Sequence, residues 1–499
     1  MGSPTTKANR GLSFDIWHLI VQEIEARKDL CNLSLSSREL CSIAIPRLYR
    51  VIPLRLKNRP MYGWPAGQGP TDFIDSLSRT LLESKDSRRR NAVHELSYFC
   101  PSHAGGEMER QLIALHNGLP NLKRIKIQGR LSDEGLRHIT KSDKQVSLSL
   151  SEDGTRAIED DMLNVVSLQA SVNTYDEHEG PNRRILALQK FLFACPNLKS
   201  FSLSMTGGYG GCVIQMPQYE QIRGFRFTGS EIFPPLESLS INGYYFLDDE
   251  WPHWRSKLQW SKLRTVNLGP QFSARFLELA NGYTQSLQHL KVEIYSNEDP
   301  RHGRLPLENF LQTFNSLESL TVRGYHLSSV TPIANHPRLK HLCLHSIEPV
   351  GSTPHQRPTL GIADLTVLDQ SLPHLETLEL DVQRAGEWPI DFLSTLADGF
   401  LNLLSLTLHL EIGLTDPCGP PIPRRYELKK PILNENSAHE VGRIFFNERS
   451  MPSSLRVLVL RTGESLRRFP QWEPHYRRFE REQSKTITVH RPPCLPAKE

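Results

Sequence analysis

The sequence lacks most of the features that would narrow its function at once. Its eight cysteines, Cys31, Cys41, Cys100, Cys195, Cys212, Cys343, Cys418 and Cys494, include no Cys-x-x-Cys pair. Clustered zinc ligands are therefore missing, and reduced structural thiols in the cytoplasm or nucleus are the simplest reading. No apolar run approaches the ~18 residues a membrane span needs, and residues 1–10 hold no apolar stretch of a secretory signal. An excess of one charge is lacking too: 59 Lys and Arg against 55 Asp and Glu leave a formal +4. The basic runs, Arg88–Arg90, Arg424-Arg425, Arg467-Arg468 and Arg477-Arg478, are scattered, which argues against a nucleic-acid stripe. No Walker loop, Gly-x-Ser-x-Gly or catalytic Cys/His signature is present, and no Lys-Ser/Thr follows the glycine-rich 207–211. The expectation is a protein without enzymatic activity, cofactor, metal, membrane anchor or nucleic-acid partner.

What is abundant is leucine, 70 of the 499 residues, in a chain only 38% hydrophobic. The leucines recur as Leu-x-x-Leu-x-Leu, with Ile, Val or Phe substituting. The copies are Leu122/Ile125/Ile127, Leu198/Phe201/Leu203, Leu236/Leu239/Ile241, Leu263/Val266/Leu268 and Leu287/Leu290/Val292. They continue at Leu317/Leu320/Val322, Leu339/Leu342/Leu344, Leu375/Leu378/Leu380, Leu403/Leu406/Leu408 and Leu455/Leu458/Leu460. Weaker copies are Val93/Leu96/Tyr98 and Leu163/Val166/Leu168. From Leu198 the steps between first leucines are 38, 27, 24, 30, 22, 36, 28 and 52 residues, the long ones implying inserted loops or degenerate copies. A phrase recurs before the strands as well: LPNLKRI, CPNLKSF, FPPLESL, HPRLKHL, LPHLETL.

Alternation places Leu239 and Ile241 on one face of a short strand and Ser238 and Ser240 on the other. Such a strand cannot bury its apolar face alone, so stacked copies must share a core. Between strands, EMERQLIALHNG, RRILALQKFLFA, ARFLELANG, LENFLQTF, ADLTVLDQSL and DFLSTLADG repeat apolar residues at three- and four-residue steps. Together these residues resemble a leucine-rich repeat. The resemblance implies an α/β fold: a curved solenoid over 71–465, parallel strands on its concave side and helices on its convex side. A Pro/Gly linker over 57–70, an inserted loop at 414–440, a disordered start over 1–10 and a basic, mobile tail over 466–499 complete the expected organisation.

Residues 11–56 read differently. Phe14, Ile16, Leu19, Ile20 and Ile24 follow a helical period behind Ser13, a candidate N-cap. Asp29 restarts a helix through Leu30, Leu33 and Leu35, and a third runs from Ser37 to Ile45, with Pro46 expected to stop it. Three short helices in about 40 residues are too few for a rich private core. The ordered set Leu12, Phe14-Asp15-Ile16, Leu19-Ile20, Ile24, Asp29-Leu30, Leu33, Ser36, Ser37-Arg38 and Pro46-Arg47-Leu48-Tyr49-Arg50 resembles the fungal form of the F-box. The departures are Ser13 in place of the family's proline and no tryptophan in the third helix.

An F-box followed by leucine-rich repeats resembles the substrate receptors of Skp–cullin–F-box ubiquitin ligases. The resemblance implies that the module docks a Skp-type adaptor, and through it a cullin scaffold, while the repeats hold a protein substrate of unknown identity. The adaptor-facing candidates are Leu12, Phe14, Ile16, Leu19, Ile20, Leu30, Leu33 and Leu48, some of which must instead form the module's core. An interaction scaffold acting outside a ligase stays open as the alternative.

On the repeats, Gly208-Tyr209, Gly243-Tyr244-Tyr245 and Gly324-Tyr325 fall where the chain leaves a strand, and Tyr295 follows Ile294. Glycine permits a sharp exit and tyrosine offers a rigid contact surface with a polar tip. Tyr209, Tyr244, Tyr245, Tyr295 and Tyr325, with Lys291, Glu293 and Arg323, are therefore the substrate-binding candidates, against the alternative that the rings seal loops. His341 and His345 share a strand face but span about 13 Å at ~3.3 Å per residue, too far for one zinc ion, and are expected to be exposed.

Overall fold

The structure is a computed structural model that describes residues 12–55, 78–83, 87–100, 106–129, 131–150, 161–173, 181–206, 224–270, 272–294, 300–324, 328–346, 348, 357, 359–413, 428–446, 454–463 and 483–491. Contacts divide the chain into two compact units, the first reaching Pro235 and the second running from Leu236.

The first unit opens with helices α1 (Phe14–Glu23), α2 (Arg27–Ser36) and α3 (Arg38–Tyr49). Their small core is Val21, Leu30, Ile43 and Leu48, with Trp17, Ile24, Leu33 and Tyr49 packed against it. Two arginines staple the helix ends: Arg27 donates to the carbonyl of Leu48 (3.1 Å) and Arg47 to that of Ile24 (3.1 Å). Ser13 occupies the N-cap of α1, but its hydroxyl caps nothing, whereas the Ser37 hydroxyl accepts from Leu40 N–H at the start of α3. Pro46 does not stop α3. It removes one backbone donor, and the last turn persists because Leu48 is buried there and Arg47 is tied to Ile24.

The strands begin earlier than the repeat spacing implies. β1 (Val51–Arg55) follows α3 after a single residue, so the sheet starts at 51 and not at 71. Residues 57–70, read as a linker, lie outside the described residues. β1 pairs in parallel with β2 (Glu95–Cys100) alone, an edge position that tolerates Pro53. β3 (Arg124–Gly129), β4 (Gln145–Leu150), β5 (Val165–Asn173) and β6 (Ser200–Thr206) continue in parallel and in sequence order. β4, with Val146, Leu148 and Leu150 buried, is a repeat the leucine spacing missed. Met162 before β5, and Val165, Leu168, Ala170 and Val172 within it, are the inward residues. A register shift opposite Val146/Ser147 turns Leu163 out to solvent, so the expected Leu163/Val166 pattern is off by one.

The second unit repeats the scheme. β7 (Ser238–Asn242), β8 (Thr265–Leu268), β9 (His289–Glu293), β10 (Ser319–Arg323), β11 (His341–His345), β12 (Thr377–Val382), β13 (Ser405–Leu410) and β14 (Val457–Thr462) are parallel neighbours in chain order. β15 (Lys485–His490) then pairs antiparallel with β14. That strand lies inside the segment read as a mobile tail; Val489 is buried against the sheet and holds it there. The helix Glu435–Phe446 likewise begins inside the expected insertion, because Ala438, Val441 and Phe445 belong to the core.

All ten strong copies of the repeat turn their three apolar residues inward, Leu344 being only half covered. Helices occupy all six predicted intervening stretches: Gly106–Gly118, Pro181–Phe193, Ser273–Ala280, Pro300–Leu311, Ile362–Ser371 and Ile390–Asp398. The recurring Pro-Asn phrase has a mechanical cause. The side-chain amides of Asn121 and Asn197 donate back to the carbonyls of Asn91 and Leu163, one repeat earlier, at 2.7 Å each. Asn402 does the same to Pro373 at 2.7 Å. Asparagine at this position thus ties a strand entry to the repeat before it in three of the repeats. The chain is an α/β leucine-rich-repeat protein with an N-terminal three-helix module.

Candidate functional site

The module divides its apolar residues between two fates. Trp17, Val21 and Ile24, at i, i+4 and i+7, face inward along the edge of α1. Ile16, Leu19 and Ile20, at i, i+3 and i+4, face solvent on one side of α1, and Leu12 and Phe14 at the helix start are exposed too; Leu19 is 63% exposed. Leu30 and Leu48 are buried in the module core and Leu33 packs against it, so these three adaptor candidates are structural. Leu35, not among the adaptor-facing candidates, is 84% exposed on α2. Its signal was available: one leucine too many for a helix whose inward face needs only Leu30 and Leu33. Of the five exposed apolar side chains at α1, Ile16, Leu19 and Ile20 form a patch on one face of the helix.

Within the first unit the open strand face carries Ser97, Lys126, Ser147, Ser167 and Ser200 in one cross-strand row. Phe99, Gln128, Ser149, Gln169 and Ser202 form the next. A groove of about 510 Å³ lies over them. Its cation, Lys126, is paired with Glu95 at 2.8 Å, so the face is polar and close to neutral.

The second unit scatters the substrate-binding candidates. Gly243 and Gly324 do leave their strands at positive φ, 74° and 76°. Tyr244 nevertheless turns inward: its hydroxyl donates to Glu250, which also accepts from Trp254 Nε1 at 2.6 Å, and its ring packs edge-on to Phe246 at 4.9 Å. Tyr244 is 1% exposed and seals the core, so it is no binding residue. Tyr245 is exposed and meets Phe272 edge-on at 5.1 Å. Tyr209, Tyr295 and Tyr325 lie outside the described residues. Lys291 and Glu293 pair with each other at 2.7 Å, and Arg323 approaches Glu379 at 3.9 Å. These three face the open side of β9 and β10.

A second concentration of charge lies at the C-terminal ends of β11, β12 and β13. His345, expected to be exposed, is 3% exposed and stacks on His409 with ring centroids 3.8 Å apart. His345 Nδ1 bonds Asp381 at 2.7 Å and His409 Nε2 bonds Glu379 at 2.5 Å. Burial pushes the Glu379 carboxyl up, but the bonds from His409 and Cys343 and the charge of Arg323 outweigh it and hold the group at about 2. Burial pushes the Cys343 thiol up, so it is an inert thiol and not a nucleophile.

Two of the three longest steps of the repeat, 36 and 52 residues, converge on this cluster. From the β11–β12 connection, Glu348 accepts from the Ile412 and Gly413 amides at 2.7 Å each. Arg357 donates to the carbonyls of Ser346 (3.1 Å) and His409 (2.8 Å), approaches Asp381 at 3.2 Å, and gives its own amide to Glu411 at 2.9 Å. Lys429, from the β13–β14 connection, pairs with Glu411. Among the described residues no group of three or more His, Cys, Asp or Glu is arranged to hold a metal ion, and none of their helices is long and apolar enough to cross a membrane.

No protein-family model matches the sequence, and no curated protein does. Among solved structures, the chain is similar to that of a Rad7 and Elc1 complex in yeast, at 12% identity over 78% of this chain and 87% of that one, with a TM-score of 0.36. It is also similar to the leucine-rich repeat-containing protein LegL7 from Legionella pneumophila, at 14% identity over 79% and 97% of the two chains, with a TM-score of 0.32. At these scores neither likeness adds to the reading of the site. The leucine-rich-repeat fold rests on the strand register and on the repeat itself.

Proposed function

We propose that this protein is a non-catalytic receptor that docks a Skp-type adaptor through its N-terminal module and holds a protein substrate on its repeat faces, delivering that substrate to a cullin-based ubiquitin ligase in the cytoplasm or nucleus. One observation carries the reading: Leu12, Phe14, Ile16, Leu19 and Ile20 stand in solvent on a module whose own core is satisfied without them. A folded domain keeps such a patch when a partner covers it. The direct passage from α3 to β1 suits the task, since it fixes a docked adaptor relative to the first repeats. Catalysis then follows from proximity, with no chemistry required of this chain.

Replacing Ile16 and Leu19 with Asp puts two carboxylates into the proposed contact. Co-purification with the adaptor should fall at least about 100-fold, because an unpaired charge at an apolar interface costs several kcal/mol. Far-ultraviolet dichroism and protease resistance should stay unchanged, both side chains being exposed in the free chain. Undiminished recovery of the adaptor overturns the docking assignment. The scaffold reading, in which the module meets a partner outside any ligase, is favoured by the uncapped Ser13 where the F-box pattern has proline. It predicts that wild type recovers no cullin, with or without the adaptor.

A further inference from the structure

The buried cluster at the ends of β11–β13 is held by side chains far apart in sequence and belongs to neither proposed docking surface. Four carboxylates, Glu348, Glu379, Asp381 and Glu411, face four cations, Arg323, Arg357, Arg384 and Lys429. Most of this set is nine-tenths buried or more: Glu348, Arg357, Asp381, Arg384 and Glu411, together with both histidines. Each proton taken up by His345 or His409 adds one positive charge to this set. Neighbouring strands add Cys343 on β11 and, opposite His409 in register, Arg461 on β14. Neither adds negative charge while the thiol stays protonated. The carboxylates beside the two rings are already engaged, Asp381 by Arg357 and the Ser346 amide, Glu379 by Arg323.

We propose that this network is a pH-operated latch. With both histidines neutral it holds Glu348 and Arg357 down on the strand ends. When both take up protons, two like charges meet face to face at 3.8 Å beside the Arg357 guanidinium, in a site left with excess positive charge. Glu348 and Arg357 then let go, and the row His345–Asp381–His409 opens to solvent. The direction of titration agrees: burial, and then the charge of His345, hold His409 below its ordinary 6.5 despite the bond to Glu379. A histidine with a depressed pKa contributes stability that is whole above about pH 6.5 and is lost as pH falls below it.

Four amides report the latch directly. Ser346 N–H is held by Asp381, Arg357 N–H by Glu411, and the Ile412 and Gly413 N–H groups by Glu348. Hydrogen exchange of the full chain, corrected for intrinsic rate, should show their protection falling about ten-fold or more between pH 7.5 and 5.5 while β8 and β9 stay protected. In the His345→Gln/His409→Gln double variant, which retains a donor at each position but cannot take up a proton, the same amides should keep one level of protection across that range. The latch is overturned if wild-type protection is constant, if β8 and β9 lose theirs in parallel, or if the double variant responds as wild type does. Should the double variant be unprotected already at pH 7.5, His409→Gln alone decides: a response as steep as wild type overturns the assignment, a shallower one supports it.

Discussion

The N-terminal module and the repeats use the same apolar residues and give them opposite fates. In β3, Ile125 and Ile127 vanish into a core shared with the next repeat, and in β12 Leu378 is fully buried; in α1, Ile16 and Leu19 stand in solvent. A repeat always has a neighbour to cover its inward face. The module has three helices and one small core, and it runs out of covering surface before it runs out of apolar side chains. Exposure there reflects a shortage of neighbours within the chain, and that is what makes the patch available to another molecule.

The contrast can be broken most forcefully at its centre. Leu378→Ala should cost about 2–5 kcal/mol of unfolding free energy, a cavity in a close-packed core, whereas Leu19→Ala should change it by less than about 0.5 kcal/mol. Urea denaturation reads both. An equal loss at Leu19 means that the chain in solution covers its own α1 patch, and the module is no longer exceptional.

A second test uses pH. The repeats bury His336 against Phe314, with Nε2 at 3.1 Å from the Leu311 carbonyl. Burial there pushes its pKa down to about 4 despite that bond, while the module's His18 stays on the surface. The contribution of neutral His336 is whole above about pH 6.5 and falls away as pH drops toward 4. Between pH 6.5 and 4.5 it should amount to about 2–3 kcal/mol. His336→Gln should remove that share of the pH dependence of the denaturation midpoint. An unaltered slope places the acid sensitivity elsewhere, with His116 and His409 next in line, both also held low chiefly by burial.

The smallest effect concerns the ties between repeats. Asn402→Ala removes the 2.7 Å bond to Pro373 and should cost about 1 kcal/mol, the usual net worth of a hydrogen bond with one partner near solvent. A neutral outcome would reduce the asparagine at this strand entry to a turn preference.

Much of this was open to reading along the chain, because a side chain's face in a strand or helix depends on its near neighbours alone. The inward residues of ten repeats, the six intervening helices and the split between a three-helix start and a repetitive remainder all follow from periodicities of two and 3.6 residues. Even the misses were local: β4 lacked a leading leucine, and a register shift at β5 put Met162 and Val165 inward in place of Leu163 and Val166. The outcomes that periodicity could not decide depend on what returns from a distance. Tyr244 and Tyr245 are adjacent, yet one is sealed by Glu250 and Trp254 and the other stands free enough to meet a partner. Leu30 and Ile16 are both apolar helix positions, and only the packing of α3 sorts core from patch. His345 became buried because Arg357 folds back beside it and Glu348 reaches amides 64 and 65 residues away. An apolar pattern states which side chains must lie together. Which charges meet, and which apolar face is left without a cover, is decided only when segments tens of residues apart arrive at one place, because burial and ion pairing depend on distance in space and not along the chain.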